Sequence, residues 1–410
     1  MNPLIDKNIL LGVTGSIAAY KAADLASKLT QEGAIVKTIL TPAAAKFISP
    51  LTFQSVTGNR SFIEDDLWGQ EAHVLHVGLA HSSDIMLIAP GTASTIAKIT
   101  HGIADNLLTL TVLACGLGQG AVPIFIAPAM DAGMFSHITT QKNIQTLSDR
   151  GVSFIGPEEG HLASGLKATG RMSEPRDILG RIRFYLSRNG PLESKKIVIT
   201  AGGTQEDIDP IRYITNRSSG KQGYALAQAA LDTGAEVTLI TAPTTLEPPS
   251  GAEVIPIRNA VDMKNATLSA CQDADALIMA AAVSDFRPIR VESHKIKKSN
   301  GIPTIPLEPT IDILKEVSIL KEVSGKPQAV IGFAAETKEL IENAKIKLKD
   351  KKLDFLIANN VSEKDAGFQV DTNRVTILFS DGRADSLPLL SKVEVAKRVI
   401  SELVNLLTKT

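Results

Sequence analysis

Residues Lys196-Ile-Val-Ile-Thr-Ala-Gly-Gly-Thr-Gln-Glu-Asp-Ile-Asp-Pro-Ile-Arg-Tyr-Ile-Thr-Asn-Arg-Ser-Ser-Gly-Lys-Gln-Gly-Tyr-Ala-Leu-Ala-Gln-Ala-Ala-Leu231 decide how this chain is read. The first five form an apolar run of the kind that makes a buried strand, and the end, from Tyr224, is an alanine-rich helix. A glycine turn between strand and helix leaves helix N–H groups and the positive end of the dipole facing one corner. That corner is where doubly wound α/β domains hold phosphates. An ordinary turn of this kind needs only a few residues. Here it carries Asp207, Asp209, Arg212, Asn216, Arg217, Ser218, Ser219 and Lys221, which packing does not explain.

The chain makes the same start once before. Lys7-Asn-Ile-Leu-Leu-Gly-Val-Thr-Gly-Ser16 is strand then glycine turn, followed by a helix over Ile17–Leu29 and a second strand over Ala34–Thr41. Ala235-Glu-Val-Thr-Leu-Ile-Thr241 is the counterpart of that second strand. The second start differs from the first by about a dozen extra polar residues in its first loop, and long loops inside compact domains are usually functional. Two α/β domains, each doubly wound, are therefore expected. The turn-rich Ser187-Arg-Asn-Gly-Pro-Leu-Glu-Ser194 joins them, giving residues 1–188 and 189–410.

Bulk properties narrow the function. A chain of 410 residues can bury two full cores. Lys plus Arg number 43 against 44 Asp plus Glu, so nothing draws the chain to nucleic acid or to acidic membranes. Aromatic residues make up 4%, too few for a base-stacking platform. The start, Met1-Asn-Pro-Leu-Ile-Asp-Lys7, has no export signal, and the apolar window Leu107–Met130 is broken by Gly116, Gly118, Gly120, Pro123 and Pro128, so a helix followed by a strand is expected there and no membrane span. Cys115 and Cys271 stand apart without metal-ligand spacing, which fits a reducing cytoplasm.

In the first half, Thr41-Pro-Ala-Ala-Ala-Lys-Phe-Ile48 reads as a helix start with Thr41 as cap. Asp84-Ile-Met-Leu-Ile-Ala-Pro90 is a third buried strand, running into Gly91-Thr-Ala-Ser-Thr95 and a helix. Small and hydroxyl residues at two strand-to-helix junctions, Gly15-Ser16 and Thr92-Ala-Ser94, allow close approach of a phosphate. Neither junction reads Gly-x-Gly-x-x-Gly, and Thr41 ends the second strand where a dinucleotide site places an acidic residue. Flavin mononucleotide fits better than NAD.

Thr14-Gly-Ser-Ile-Ala-Ala-Tyr-Lys21, Ile88-Ala-Pro-Gly-Thr-Ala-Ser-Thr-Ile-Ala-Lys98, Gly102-Ile-Ala-Asp-Asn-Leu-Leu-Thr109 and Pro128-Ala-Met-Asp-Ala-Gly-Met134 resemble the flavin-dependent cysteine decarboxylases. The resemblance implies a flavodoxin-like domain, trimers with flavin mononucleotide near subunit contacts, and His76 as catalytic base. His73 and His81 stand close by, so spacing alone does not choose among them. Two positions depart from the family pattern. Asp131 stands where the family has an asparagine that binds the substrate carboxylate; an ionised Asp131 would have to be protonated, paired with a cation or turned away. Ser164, in His161-Leu-Ala-Ser-Gly-Leu-Lys-Ala-Thr-Gly-Arg-Met172, stands where the family's flap has a proton-donating cysteine, and a hydroxyl is a far weaker acid than a thiol. Gly160, Gly165 and Gly170 still suit this segment to a lid.

In the second half, Asp285 closes the apolar run from Ala274, Lys295-Ile-Lys-Lys298 is a compact basic run, and Ile331-Gly-Phe-Ala-Ala-Glu-Thr337 is another strand leading to a helix. Lys347 and Lys351 lie four apart in a lysine-dense segment. With Arg212-Tyr-Ile-Thr-Asn-Arg-Ser-Ser-Gly-Lys221 and Ala281-Ala-Val-Ser-Asp285, these pieces resemble phosphopantothenate–cysteine ligases. The whole chain resembles the bacterial and archaeal bifunctional proteins of coenzyme A biosynthesis.

The resemblance implies a Rossmann-like ligase domain that uses CTP and a divalent metal such as Mg2+ to make an acyl-cytidylate of 4′-phosphopantothenate, which cysteine attacks. The flavin domain would then release CO2, with the thiol oxidised to a thioaldehyde on the way. Carried over by position, Asn216 and Arg212 would face the carboxylate and acyl-cytidylate. Ala281, Asp285, Phe333 and Lys295 would hold the nucleotide, and Lys347 and Lys351 its phosphates. Asp312 falls in Thr310-Ile-Asp-Ile-Leu314, where the motif usually has proline in place of Ile311. No metal ligand is identified. Family likeness implies a homo-oligomer, with trimeric flavin domains and dimeric ligase domains, up to a dodecamer. The departures at Asp131 and Ser164 leave open a ligase whose flavin domain has altered or lost decarboxylation.

Overall fold

The computed structural model describes residues 2–69, 74–118, 120–297, 304–336, 340–360 and 370–408. The chain divides into two compact units, residues 2–186 and 187–410. The separate sheets expected from the two strand-turn-helix starts are both present.

The first unit runs β1 (Asn8–Val13), α1 (Ala19–Gln31), β2 (Ile35–Leu40), α2 (Pro50–Thr57), β3 (Ser61–Phe62), α3 (Leu75–His81), β4 (Ile85–Gly91), α4 (Ala93–His101), α5 (Leu107–Cys115), β5 (Ile124–Pro128), α6 (Ala132–Ser136), α7 (Ile138–Asp149), β6 (Ser153–Phe154), the hairpin β7 (Glu158–His161) and β8 (Lys167–Arg171), and α8 (Pro175–Ser187). The sheet order is β3-β2-β1-β4-β5-β6, all parallel. Apart from the two-residue β3, this is the 2-1-3-4-5 order of flavodoxin-like folds.

Alternation along the strands supplies a core on each face. Ile9, Leu11, Val13, Ile85 and Leu87 pack with α1, α2 and α8, while Leu10, Met86 and Ile88 pack with α3, α4 and α5. Each fully buried leucine or isoleucine contributes about 1.5–3 kcal/mol relative to exposure. The helix start expected at Thr41 is a single tight turn over Ala44–Lys46, whose Ala44 N–H donates to Thr41 Oγ1. The following α-helix, α2, takes Ser49 as cap and Pro50 at its first position instead.

The second unit runs β9 (Lys196–Ala201), β10 (Gln205–Asp207), β11 (Tyr213–Thr215), α9 (Lys221–Leu231), β12 (Glu236–Thr241), β13 (Glu253–Pro256), α10 (Ala260–Ala270), β14 (Ala276–Met279), β15 (Phe286–Pro288), β16 (Leu307–Pro309), α11 (Ile313–Ser324), β17 (Ala329–Glu336), α12 (Leu340–Asp350), β18 (Phe355–Asn360), β19 (Thr372–Asn373), β20 (Val375–Phe379), β21 (Ala384–Ser386), β22 (Leu390–Ser391) and α13 (Lys392–Thr408). Its sheet is ordered β13-β12-β9-β14-β17-β18-β20-β21. It is parallel through β18 and antiparallel beyond. The polar insert that marked this half in the sequence is a small antiparallel hairpin, β10 against β11.

One device recurs in both units. Asp84, just before β4, accepts the Asn8 N–H at the start of β1 at 2.8 Å, and Asp275, just before β14, accepts the Lys196 N–H at the start of β9 at 3.0 Å. Each carboxylate satisfies a strand-end donor that has no ladder partner and fixes the register of the two strands flanking the switch point. Gly223 sets the site geometry at the other end. A Cβ there would lie 2.5 Å from Ala201 Cβ, so its absence lets the first turn of α9 settle on β9. Among the described residues, no helix is long and apolar enough to cross a membrane.

Candidate active sites

Each sheet reverses its strand order once, between β1 and β4 and between β9 and β14, and a cavity opens at the carboxyl end of each reversal.

The first cavity encloses about 700 Å³ and is lined by Gly15, Ser16, Thr92 and Ser94, from the two junctions singled out in the sequence for a phosphate, and by Thr41, which ends the second strand. Local chemistry shapes it. Thr14 Oγ1 donates to the Pro90 carbonyl at 2.6 Å and accepts the Thr92 N–H at 3.2 Å, clipping the two junctions together. A Cβ on Gly15 would meet Ala43 Cβ at 2.5 Å, so only glycine lets this loop pass. The start of α4, Ala93 to Thr95, lines the cavity, so that its first turn borders the junction, while Ser16 Oγ accepts the Ala18 N–H at 3.2 Å ahead of α1. Sequence reasoning missed Glu64, Lys98, Asp105 and Asn106, which also line the cavity. Lys98 and Asp105 form an ion pair of 2.8 Å at its wall.

His76 lies on α3 in an adjoining cavity of about 510 Å³, which shares Glu64 and Asp105 with the first. Its Nδ1 is buried without a hydrogen-bond partner. His73 lies outside the described residues.

Asp131 and Ser164 meet each other. Ser164 Oγ donates to Asp131 Oδ2 at 2.6 Å, while Asp131 Oδ1 accepts the Gly133 N–H at 3.0 Å as cap of α6. The Ser164 hydroxyl first, and the Gly133 N–H second, hold the Asp131 carboxyl below its ordinary range. The base of the β7–β8 hairpin is pinned to the same loop, Met130 N–H donating to the Gly170 carbonyl at 3.0 Å. Of the three alternatives raised by the sequence, protonation of Asp131 is disfavoured in this arrangement.

The second cavity encloses about 690 Å³. It brings together Asn216, Ala281, Asp285, Asp312, Phe333, Lys347 and Lys351 from five separate segments. Asn216 follows β11 and its Nδ2 donates to the Val283 carbonyl at 2.9 Å. The loop after β14 is tied to the glycine turn: Ala282 N–H donates to the Gly202 carbonyl at 2.8 Å and Ser284 N–H to Thr204 Oγ1 at 2.9 Å. Thr310 Oγ1 reaches the Ser284 carbonyl at 2.5 Å, setting Asp312 beside Asp285. Asp312 also caps α11 and pairs with Lys351 at 3.1 Å, a structural role that needs no ligand.

Arg212 and Lys295 do not line this cavity. Arg212 Nη1 is 3.2 Å from Asp209 Oδ2 and 3.4 Å from the Ile296 carbonyl, which brings the two basic segments together beside the hairpin. Lys298 and Thr337 lie outside the described residues. Gln222, Ser284, Asn359, Asn373 and Lys392 also line the cavity and were not picked out from the sequence. Only burial marks them, and burial has no signature in a single chain.

Among the described residues, no group of three or more His, Cys, Asp and Glu side chains is arranged to hold a metal ion. Burial pushes the Cys115 thiol up to about 11 and that of Cys271 to about 12, so neither is a nucleophile at neutral pH.

Two doubly wound units, each with a polar cavity at its switch point, define a two-site α/β enzyme built from a flavoprotein-type unit and a nucleotide-binding-type unit. Residues 2–186 match the Flavoprotein family model and residues 192–407 that of the DNA/pantothenate metabolism flavoprotein C-terminal domain. Over 410 residues the chain is 44% identical to the coenzyme A biosynthesis bifunctional protein CoaBC of Bacillus subtilis, covering 99% of each. The chain belongs to the CoaBC family of bifunctional coenzyme A biosynthesis proteins, and it is an enzyme with a ligase and a decarboxylase activity.

The relative from Vibrio vulnificus strain CMCP6 is 41% identical, over 99% of this chain and all of that protein. A cysteine/cysteine sulfinic acid decarboxylase from an unknown prokaryotic organism is 42% identical, over 88% of this chain and 99% of its own. Among solved structures, the C-terminal domain of a CoaBC protein is 39% identical with a TM-score of 0.46, covering 54% of this chain and all of that one. A PPC decarboxylase mutant complexed with pantothenoylaminoethenethiol is 31% identical with a TM-score of 0.40, covering 44% of this chain and 98% of that one.

Proposed function

We propose that residues 189–410 join 4′-phosphopantothenate to cysteine at the expense of CTP, and that residues 1–188 decarboxylate the product to 4′-phosphopantetheine. The observation that carries the ligase assignment is the distribution of unsatisfied polar atoms. Six buried side-chain N or O atoms among the described residues have no hydrogen-bond partner, and four of them, on Gln222, Ser284, Asn359 and Asn373, line the second cavity. Leaving such a group buried costs about 1–3 kcal/mol, a deficit that a polar ligand removes. Lysines 347 and 351 supply charge against the repulsion between a carboxylate and a triphosphate. Asn216 offers an amide donor for the oxyanion without adding a proton. Arg212 and Lys295, beside the hairpin, would complete the carboxylate and nucleotide contacts. With no protein carboxylate cage described, Mg2+ would travel with the triphosphate, as it commonly does.

In the first unit, the Gly15-Ser16 and Thr92-Ser94 junctions and Thr41 fit flavin mononucleotide: a volume of about 700 Å³, helix N–H groups for its phosphate and a loop that only glycine permits. When bound, the cofactor supplies a two-electron acceptor for the thiol-bearing carbon of the substrate and returns the electrons after CO2 leaves. His76 would take the proton, its Nδ1 being buried without a hydrogen-bond partner in the adjoining cavity. The buried thiols suit a cytoplasmic setting, and exposed apolar side chains such as Trp68, 85% exposed, suit a homo-oligomer.

A second reading is motivated by the Ser164–Asp131 contact: a ligase whose decarboxylation is altered, because both departures are engaged with each other. Incubation of the purified protein with 4′-phosphopantothenate, CTP and cysteine separates the readings. Amide product and stoichiometric CO2 support the two-step enzyme. Amide without CO2 supports the altered flavin unit, and no amide rejects the ligase assignment.

A further inference from the structure

Three amide side chains meet at one corner of the second cavity. Gln222, in the first turn of α9, donates through Nε2 to the Lys392 carbonyl at 3.1 Å. Lys392 directly follows β22, whose Leu390 and Ser391 pair with Asn373 and Thr372 of β19. Two residues beyond Asn373, Val375 pairs with Asn359 of β18. Backbone pairing thus carries Gln222, Asn373 and Asn359 to the same part of the cavity wall, although the sequence places Gln222 far from the other two.

Each of the three keeps a carbonyl oxygen buried without a hydrogen-bond partner: Gln222 Oε1, Asn359 Oδ1 and Asn373 Oδ1. Asn359 and Asn373 are 9% and 3% exposed. The Gln222 amide is fixed in this sense, because turning it over would set its oxygen against the Lys392 carbonyl. A corner of amide oxygens repels phosphate oxygens and calls for a group that donates. The richest donor that a nucleoside triphosphate brings is the water shell of its divalent metal. Mg2+ dehydrates reluctantly, so that on phosphates it keeps several waters, and its direct protein ligands are commonly one or two carboxylates. Two carboxylates line this cavity, and Asp312 is engaged with Lys351 at 3.1 Å and with the start of α11, which leaves Asp285. Among the described residues, no larger set of metal-binding side chains is gathered. The set of neutral, buried oxygens fits the waters around a metal better than the metal itself.

We propose that Gln222, Asn359 and Asn373 seat the divalent metal of the metal–nucleotide complex through its bound waters, without entering its coordination sphere. This rests on the reading of residues 189–410 as the CTP-dependent ligase. The division of labour follows from the chemistry of the lining: the lysines answer the phosphate charge, and the amide oxygens answer the metal's waters. A second consequence concerns the free protein. Replacing a buried, unpaired amide by an apolar group of the same shape is nearly neutral or stabilising, so these residues should be dispensable for folding.

The test is isothermal titration of the full chain with CTP plus Mg2+, with CTP plus a chelator, and with the exchange-inert cobalt(III) tetraammine complex of CTP. That complex presents ammine N–H donors where Mg2+ presents water, and it admits no protein oxygen to the metal. The unmutated chain should bind it within about tenfold of the Mg2+ complex. Asn373→Leu should weaken both metal complexes about three- to tenfold, and Asn359→Leu with Asn373→Leu about ten- to hundredfold, while the affinity for metal-free CTP stays within about twofold. The Tm of the free Asn373→Leu chain should be unchanged or raised. Equal losses with and without metal would show that the amides read the phosphates themselves, and unchanged affinity for every form would show that they read nothing; either overturns the proposal. Should the variants fail to fold, the unmutated chain decides alone: binding of the Mg2+ complex without binding of the cobalt complex means that a protein oxygen such as that of Asp285 enters the coordination sphere, and overturns it. An unmutated chain that binds CTP in none of the three forms rejects the ligase reading itself, an outcome that needs no variant to recognise.

Discussion

Ser164 and Asp131, the two residues that depart from the pattern of flavin-dependent cysteine decarboxylases, share a 2.6 Å hydrogen bond, with the serine hydroxyl as donor. The departures are therefore one change rather than two. A cysteine at the hairpin tip would lose the short contact, and an asparagine at position 131 would lose the charge that makes it strong. The bond closes the tip of the β7–β8 hairpin over a loop to which the hairpin's base is already bound through Met130 and Gly170.

Removing the hydroxyl should act through the carboxylate. In Ser164→Ala the Asp131 pKa should rise toward the ordinary aspartate value, followed by carbon NMR of the carboxyl group. Because the folded pKa is depressed, the stabilisation from this contact is present above the unfolded value and is lost as pH falls through the folded one. The hairpin should also be cut faster by trypsin at Lys167 and Arg171 near neutral pH. An Asp131 pKa that does not move would show that the bond is absent in solution. Asp131→Asn with Ser164→Cys should change the rate of CO2 release where either single substitution lowers it, and an unchanged rate would point to another proton source.

His76→Asn should lower CO2 release by about 10²–10⁴-fold while ligation continues at its normal rate. The prediction follows from the unpartnered Nδ1 in a cavity that adjoins the flavin-type pocket. Separate assays of amide formation and CO2 read it out. A parallel loss of both activities would contradict independent sites.

What was legible in the sequence and what was not divide along physical lines. The strands around Ile9, Ile85, Val198 and Leu277 were legible because a strand buried on both faces is apolar throughout. The junctions Gly15-Ser16 and Thr92-Ser94 were legible because glycine and small hydroxyl residues leave a compositional mark, and they line one cavity. The Thr41 helix was misread because Thr-Pro signals a start without saying how far the helix runs; Ser49-Pro50 eight residues on is the stronger start. Lys392 and Asn373 were invisible because their position depends on α13 and β19 folding back beside α9, a contact with a separation of about 170 residues. The same holds for Ser164 and Asp131, whose pairing follows from a hairpin fold that no local spacing encodes.

The Asp275 carboxylate offers a pH test in the second unit. It accepts the Lys196 N–H and pairs with Lys326 at 3.0 Å, its side chain 12% exposed. Burial works against its ionisation, but that N–H and the lysines outweigh it and leave the pKa lowered. Asp275→Asn should destabilise the second unit by about 1–3 kcal/mol at pH 7. The difference from the unmutated chain should shrink as acid protonates Asp275 in the latter, because a depressed carboxyl stabilises only above its folded pKa. Urea melts at pH 7 and at about pH 2, well below the ordinary aspartate value, measure both numbers, and a constant difference would contradict the assignment.

Asp209 links two basic segments that the sequence separates by more than eighty residues. Its side chain is 0% exposed; Oδ1 accepts the Ile211 and Arg212 N–H groups, each at 2.8 Å, and Oδ2 accepts the Ile296 N–H and Arg212 Nη1, each at 3.2 Å. Asn at this position keeps an oxygen for the first pair but turns an –NH2 toward the second, so the turn survives while the Lys295 segment is released. Asp209→Asn should therefore raise the KM of the ligase for its carboxylate and nucleotide substrates by about tenfold, leave CO2 release from added phosphopantothenoylcysteine unchanged, and speed tryptic cleavage at the exposed Lys295 and Lys297. Asp209→Ala, which loses both pairs, should be worse in kcat as well as KM. If Asp209→Asn lowers stability but leaves KM and the tryptic pattern as they were, the carboxylate serves the fold alone and does not position Arg212 or Lys295.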